Sequence, residues 1–263
     1  MIRTALALLA ATATAFAASA AFASSSRWES AEGGRVRLVS SGLPDATGKL
    51  RAILEIDLNP GWKTYWREPG GSGVPPSIDV SGSPQVEAAT FEFPAPERHF
   101  DGDLAWAGYG RSVAFPVTFS LAAGSRSPID TSVFLGICET ICVPLQARLT
   151  LDPASAADDP ADAARVANAF DALPAPASET FGVKLRDVHG GKAVFEATLT
   201  EDARDADLFL AADGYVFGVP ERRDDEGDTV FTVSVDGPAA ASGTIHYTLV
   251  TTSGAVSGQL PAF

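Results

Sequence analysis

The sharpest chemistry in the chain is Cys138-Glu139-Thr140-Ile141-Cys142, whose two cysteines, four residues apart, are the only ones in 263 residues. Such a pair can exchange with other disulfides, staple the fold or hold a soft metal such as Cu(I). In a continuous strand the two Cα atoms would lie about 13 Å apart, whereas a disulfide tolerates less than about 7 Å. A bond between them therefore requires the chain to turn. A hairpin with Glu139–Ile141 as its three-residue loop would set the sulfurs opposite each other at the strand ends. A loop this short limits what a staple adds, to about 2 kcal/mol. From spacing alone, the redox-active, structural and metal-binding readings all stay open. Glu139 beside Cys138 disfavours its thiolate, and no cationic residue adjoins the pair in sequence.

Other chemistries find little support. His99, His189 and His246 have no ligand-like spacing, and Met1 is the only methionine, which excludes methionine-rich copper binding. Gly70-Gly71-Ser72-Gly73 lacks the Gly-Lys-Ser/Thr of a phosphate loop. No HExxH zinc motif or GxSxG nucleophile elbow is present. The acidic turn Asp224–Asp228 lacks the ligand spacing of a calcium loop. No cofactor and no metal are expected at the cysteine pair. A formal charge of −14, from 33 acidic and 19 basic residues, disfavours nucleic acid and anionic lipid as partners.

The elements that must position the cysteines read as strands. Arg35–Ser41, Leu50–Leu58, Gln85–Phe93, Val113–Ser120, Thr131–Gly136 and Pro144–Leu151 are short, rich in β-branched or aromatic residues and separated by turn clusters. After an Ala/Asp/Pro-rich stretch, Asp159 can cap a helix with Pro160 at its first position. Ala164, Ala167, Phe170 and Leu173 would form its docking face. Strands resume at Phe181–Val188, Lys192–Leu199, Ala206–Ala211, Val230–Val235 and Thr244–Thr251. The expected fold is all-β, with two immunoglobulin-like β-sandwich domains joined by a linker with a short helix. Residues 1–23 read as a secretory signal: Arg3, an alanine-rich apolar run, then Ala21-Phe22-Ala23 as a small-x-small cleavage site. The expected division is 1–23 signal peptide, 24–152 redox domain, 153–178 linker and 179–263 second sandwich. No later stretch is long and apolar enough to span a bilayer, so no membrane insertion is expected.

Several motifs carry a family likeness. Gly61-Trp62-Lys63-Thr64-Tyr65-Trp66-Arg67-Glu68-Pro69-Gly70, Gly71-Ser72-Gly73-Val74-Pro75-Pro76, Phe93-Pro94-Ala95-Pro96-Glu97-Arg98 and Gly108-Tyr109-Gly110 fall in order with Gly136-Ile137-Cys138 and Ile141-Cys142-Val143-Pro144. Over roughly residues 34–152 the chain resembles the N-terminal periplasmic domain of DsbD-type thiol:disulfide interchange proteins, and most of all the ScsB branch linked to copper tolerance. The C-terminal part is similar, more loosely, to the second immunoglobulin-like domain of that branch.

The resemblance implies a periplasmic protein with Cys138 and Cys142 as its redox pair and Cys142 as the partner-facing sulfur. It would take electrons from a membrane-embedded thiol reductase and pass them to periplasmic thioredoxin-like or other exported redox proteins. The chain shows no membrane segments and no thioredoxin-like domain, so the reductase is expected to be a separate chain. The resemblance also implies a cap loop, roughly Arg98–Tyr109, with Phe100 and Tyr109 as shielding aromatics. Asp101 and Asp103 in that loop are candidate proton acceptors. Trp62, Tyr65 and Trp66 read as core or as part of a docking surface. The alternatives are a non-catalytic secreted interaction module with a structural disulfide, and a Cu(I)-binding carrier.

Overall fold

The computed structural model describes residues 25–71, 73–155, 159–200, 205–225, 228–237 and 243–263. The expected signal segment, residues 1–23, lies outside the described residues. The first half runs β1 (Glu29–Ala31), β2 (Gly34–Ser40), β3 (Lys49–Leu58), β4 (Lys63–Tyr65), β5 (Ser77–Asp79), β6 (Val86–Phe91), β7 (Glu97–Asp101), β8 (Leu104–Tyr109), β9 (Val113–Leu121), β10 (Ile129–Cys138) and β11 (Cys142–Leu151). Helix α1 (Pro160–Asp171) follows. The second half is β12 (Ala175–Pro176), β13 (Gly182–His189), β14 (Lys192–Thr198), β15 (Asp207–Ala211), β16 (Val216–Phe217), β17 (Glu221–Asp225), β18 (Asp228–Asp236), β19 (Thr244–Thr251) and β20 (Gly254–Pro261).

These strands form two β-sandwiches. In the first, the sheet β1-β2-β3-β9-β6 faces the sheet β11-β10-β4-β8-β7, with β5 paired to β10. In the second, β12-β20-β19-β15 faces β13-β14-β18-β16, with β17 paired to β18. Period-2 alternation explains the first core. On β3, Leu50, Ala52, Leu54 and Ile56 point inward and meet Phe115, Phe119, Ile129, Leu135 and Leu149. The second core gathers Phe195, Leu208, Phe231, Val233, Ile245 and Leu249.

Ile53 lies on the outward face of β3 and would leave its side chain in water. Together with Val39 it is covered by Val166 and Ala169 of α1. Burying an isoleucine this way is worth about 1.5–3 kcal/mol, which gives the helix its reason to dock. Asp159 caps it as expected, its carboxylate accepting from the N–H groups of Ala161 and Asp162, with Pro160 in the first turn. The docking face is rotated from the expected one: Asp162, Val166 and Ala169 are buried and Ala164 is exposed. The branched Val166 has more apolar surface to hide than any of the helix's alanines, so it sets the rotation. Phe170 stays at the edge of the contact, 3.9 Å beneath the Arg51 guanidinium.

The strongest departure from expectation lies at residues 97–109. The stretch expected as a cap loop is a hairpin, β7–β8, paired in register from Glu97↔Gly108 to Asp101↔Leu104 around Gly102. Its polar and aromatic residues alternate between two faces that are both in use, so no single apolar face betrays a strand. Among the described residues no helix is long and apolar enough to cross a membrane.

Candidate redox site

Cys138 and Cys142 close the β10–β11 ladder as its last opposed pair, with Cα atoms 4.1 Å apart and sulfurs bonded. The turn between them is the three-residue loop Glu139–Ile141, and Glu139 N donates to Ile141 O at 3.2 Å. The two cysteines differ in access. Cys138 is only 1% exposed, whereas Cys142 is exposed and its neighbour Ile141 is 70% exposed.

The cover over Cys138 comes from strands distant in sequence. β4 pairs with β10 on one side, setting Lys63 opposite Cys138, and with β8 on the other, setting Tyr65 opposite Gly108. Alternation then puts Lys63 and Tyr65 on the cysteine face, with Trp106 from β8. Tyr65, Trp106 and Cys138 form a small buried cluster apart from the main core. The Tyr65 hydroxyl donates toward Cys138 Sγ at 3.1 Å and lies 3.2 Å from Cys142 Sγ. Trp106 meets the Tyr65 ring edge-on at 5.9 Å, and His99 stacks on Trp106 at 4.0 Å. Two glycines make this packing feasible. A Cβ at Gly136 would sit 3.3 Å from the Tyr65 ring, and one at Gly108 would lie 2.3 Å from the Thr64 carbonyl oxygen.

Charge is arranged around the same cluster. The Lys63 ammonium lies 4.3 Å over the Trp106 ring and pairs with the Asp101 carboxylate. Burial, and then the negative charge of Asp101, push the Tyr65 hydroxyl above its ordinary pKa. Tyr65 therefore stays protonated and remains a donor. Burial, reinforced by Lys63, holds His99 below its ordinary value, against the opposing pull of Glu97 and Asp101. A hydroxyl aimed at both sulfurs stabilises whichever becomes a thiolate when the bond opens.

The expected site residues separate on this geometry. Asp101 is brought to the cluster through Lys63 and Tyr65. Asp103 sits at the hairpin turn and lines a groove with Leu208, Phe209 and Val219 instead. Phe100 is 62% exposed and lies on the face of β7 opposite His99 and Asp101. Tyr109 is buried in the main core against Phe115, on the face of the sheet away from Tyr65, and its hydroxyl donates to Pro94 O at 2.8 Å. Burial pushes its pKa well up. The aromatics that cover Cys138 are thus Tyr65 and Trp106 rather than Phe100 and Tyr109. Lys63, absent from the pair's sequence neighbourhood, is the cation of the site. The visible sequence signal for it was the Lys63-x-Tyr65 alternation inside the Trp/Tyr-rich motif. Among the described residues, no three His, Cys, Asp or Glu side chains gather to hold a metal ion.

Residues 39–154 match the family model described as "Thiol:disulfide interchange protein DsbD, N-terminal". Among solved structures, the N-terminal periplasmic domain of ScsB from Proteus mirabilis aligns with a TM-score of 0.75 at 21% identity. That alignment spans 92% of this chain and 100% of the other, and establishes a shared fold. InvD of Yersinia pseudotuberculosis aligns over 86% of this chain and 56% of its own at 9% identity, with a TM-score of 0.20, too low to carry an argument. No curated protein matches the chain.

Proposed function

We propose, on the match of residues 39–154 to the DsbD N-terminal family model, that the chain carries electrons in the periplasm by thiol–disulfide exchange at Cys138 and Cys142. The observation that carries this reading is the pairing of one exposed and one covered sulfur under a single protonated hydroxyl, that of Tyr65. A structural staple needs no such donor.

The exposed Cys142 is the partner-facing sulfur. In the oxidised form, a thiolate of the donor attacks Cys142 Sγ. That bond forms as the Cys138–Cys142 bond breaks, and the electron pair leaves on Cys138, where the Tyr65 hydroxyl stabilises it. The donor's second thiolate then attacks its own sulfur in the mixed disulfide. Cys142 is released as a thiolate, and the donor leaves oxidised by two electrons. The same steps in reverse deliver those electrons to an oxidised acceptor, with Cys142 attacking and Cys138 resolving. The donor is a membrane-embedded thiol reductase, and the acceptors are thioredoxin-like or other exported redox proteins.

The deciding measurement is the reduction potential of the pair, by equilibration in glutathione buffers and thiol trapping. A value between about −180 and −270 mV is expected, the range of exchange proteins. A value well below about −300 mV marks a structural staple and replaces this reading with a non-catalytic interaction module.

A further inference from the structure

Arg98 stands on the face of β7 opposite His99 and reaches out of the first sandwich. Its Nε donates to Asp207 Oδ2 at 2.9 Å and its Nη2 to Asp207 Oδ1 at 2.9 Å, a forked pair. Nη2 also donates to Leu208 O at 2.7 Å. Asp207 and Leu208 open β15, which lies at the edge of its sheet. The guanidinium lies 4.5 Å over the Phe209 ring, and Phe209 meets Trp66 edge-on at 5.9 Å. Phe209 and Ala211 of β15 are buried as part of the first sandwich's core cluster. A guanidinium forked onto a carboxylate has a defined plane and little freedom left. The third bond also gives a partner to a carbonyl on an edge strand.

The hairpin is fastened unevenly: β8 is held to β4 by two register pairs, Thr64↔Tyr109 and Tyr65↔Gly108, and Trp66 N donates to Ala107 O and Ala107 N to Pro69 O at 3.1 Å each. β7 is the edge of its own sheet and pairs there only with β8. Yet this hairpin carries Trp106, His99 and Asp101 onto the Tyr65–Cys138 cluster. Whatever grips Arg98 from one side therefore sets how firmly the other side covers the disulfide.

We propose that the second sandwich is a brace for the β7–β8 hairpin, with Arg98 as the positioning residue and Asp207 as its anchor, so that the C-terminal half governs how closely the hairpin covers Cys138. Its kinetic consequence rests on the exchange reading above; its structural consequence does not.

The test uses the full chain with Arg98→Ala, Asp207→Ala and the double variant. Two quantities are measured on the oxidised protein: hydrogen exchange of the amides of residues 97–109, and the rate of reduction by dithiothreitol followed by thiol trapping. Each single variant is expected to speed both by about fivefold or more, and the double variant to be no faster than the faster single one. Wild-type protection and wild-type rates in both single variants overturn the brace, and so do effects that simply add in the double variant. If Arg98→Ala does not fold, Asp207→Asn removes the paired charge and leaves the Leu208 bond, with the same expected direction. If the wild-type disulfide resists dithiothreitol, the exchange reading falls while hydrogen exchange still decides the brace.

Discussion

The tyrosines of the two sandwiches divide cleanly by what their hydroxyls hold. Three of the chain's four serve the backbone. Tyr109 donates to Pro94 O and Tyr215 to Phe263 O, each at 2.8 Å, and Tyr247 accepts from Val183 N at 3.2 Å. Only Tyr65 spends its hydroxyl on sulfur. The long hairpins differ in the same way. In the second sandwich β19–β20 closes on a plain polar turn, with Thr251 Oγ1 donating to Gly254 O at 3.0 Å. In the first, β10–β11 closes on the cysteine pair and needs a second, separate cluster to cover it. The two sandwiches share an architecture, and the first is set apart by a cross-strand cysteine pair plus a buried donor delivered by an adjacent short strand.

The most severe way to break the contrast is at the sulfurs. Cys142→Ser should abolish mixed-disulfide formation, whereas Cys138→Ser should accumulate the mixed disulfide because nothing resolves it; non-reducing gels after incubation with an oxidised thioredoxin-like partner distinguish the two. Equal trapping by both variants would contradict the assignment of Cys142 as the partner-facing sulfur.

Next comes the hydroxyl. Tyr65→Phe removes a bond to a developing thiolate and should raise the attacking thiol's pKa by about one unit, since one unit corresponds to about 1.4 kcal/mol. The exchange rate at neutral pH should then fall by only about threefold, because nucleophilicity rises with pKa and offsets part of the lost thiolate. The pH–rate profile of the reduced protein should move to higher pH by the same unit. Tyr65 itself is held above its ordinary value near 10, so its hydroxyl is a donor on both sides of neutrality and adds no inflection there. Tyr109→Phe is the control: it should cost about 1 kcal/mol of stability in urea unfolding and leave the profile in place.

A smaller effect is expected at Lys63. Lys63→Ala strips Asp101 of its cation and leaves a bare carboxylate beside Tyr65, which should slow exchange by about twofold, the scale of a partly exposed ion pair. Raised salt should reduce the difference between wild type and variant. The smallest effect on exchange is expected furthest away. Asp159→Ala removes the α1 cap and should lower stability by about 1 kcal/mol, with the exchange rate unchanged in stopped-flow assays.

The sequence by itself determined what depends on near neighbours along the chain. The long strands follow from alternation, the α1 start from Asp159-Pro160, and the need for a turn, should the cysteines bond, from a spacing too long to bridge in an extended strand. These are short-range effects of backbone geometry, legible within a window of about ten residues. The tertiary structure alone decided which residues surround the sulfurs. Tyr65 is 73 residues from Cys138 and Arg98 is 109 from Asp207, separations at which local pattern carries no information about contact. β4 is three residues long, and β7–β8 uses both of its faces, so neither shows the periodicity that would reveal a strand. Tyr109 reads in sequence as a site aromatic within a familiar motif. One step of β alternation separates its face from that of Tyr65, and only the pairing register of β4 with β8 sends one ring to the core and the other to the disulfide.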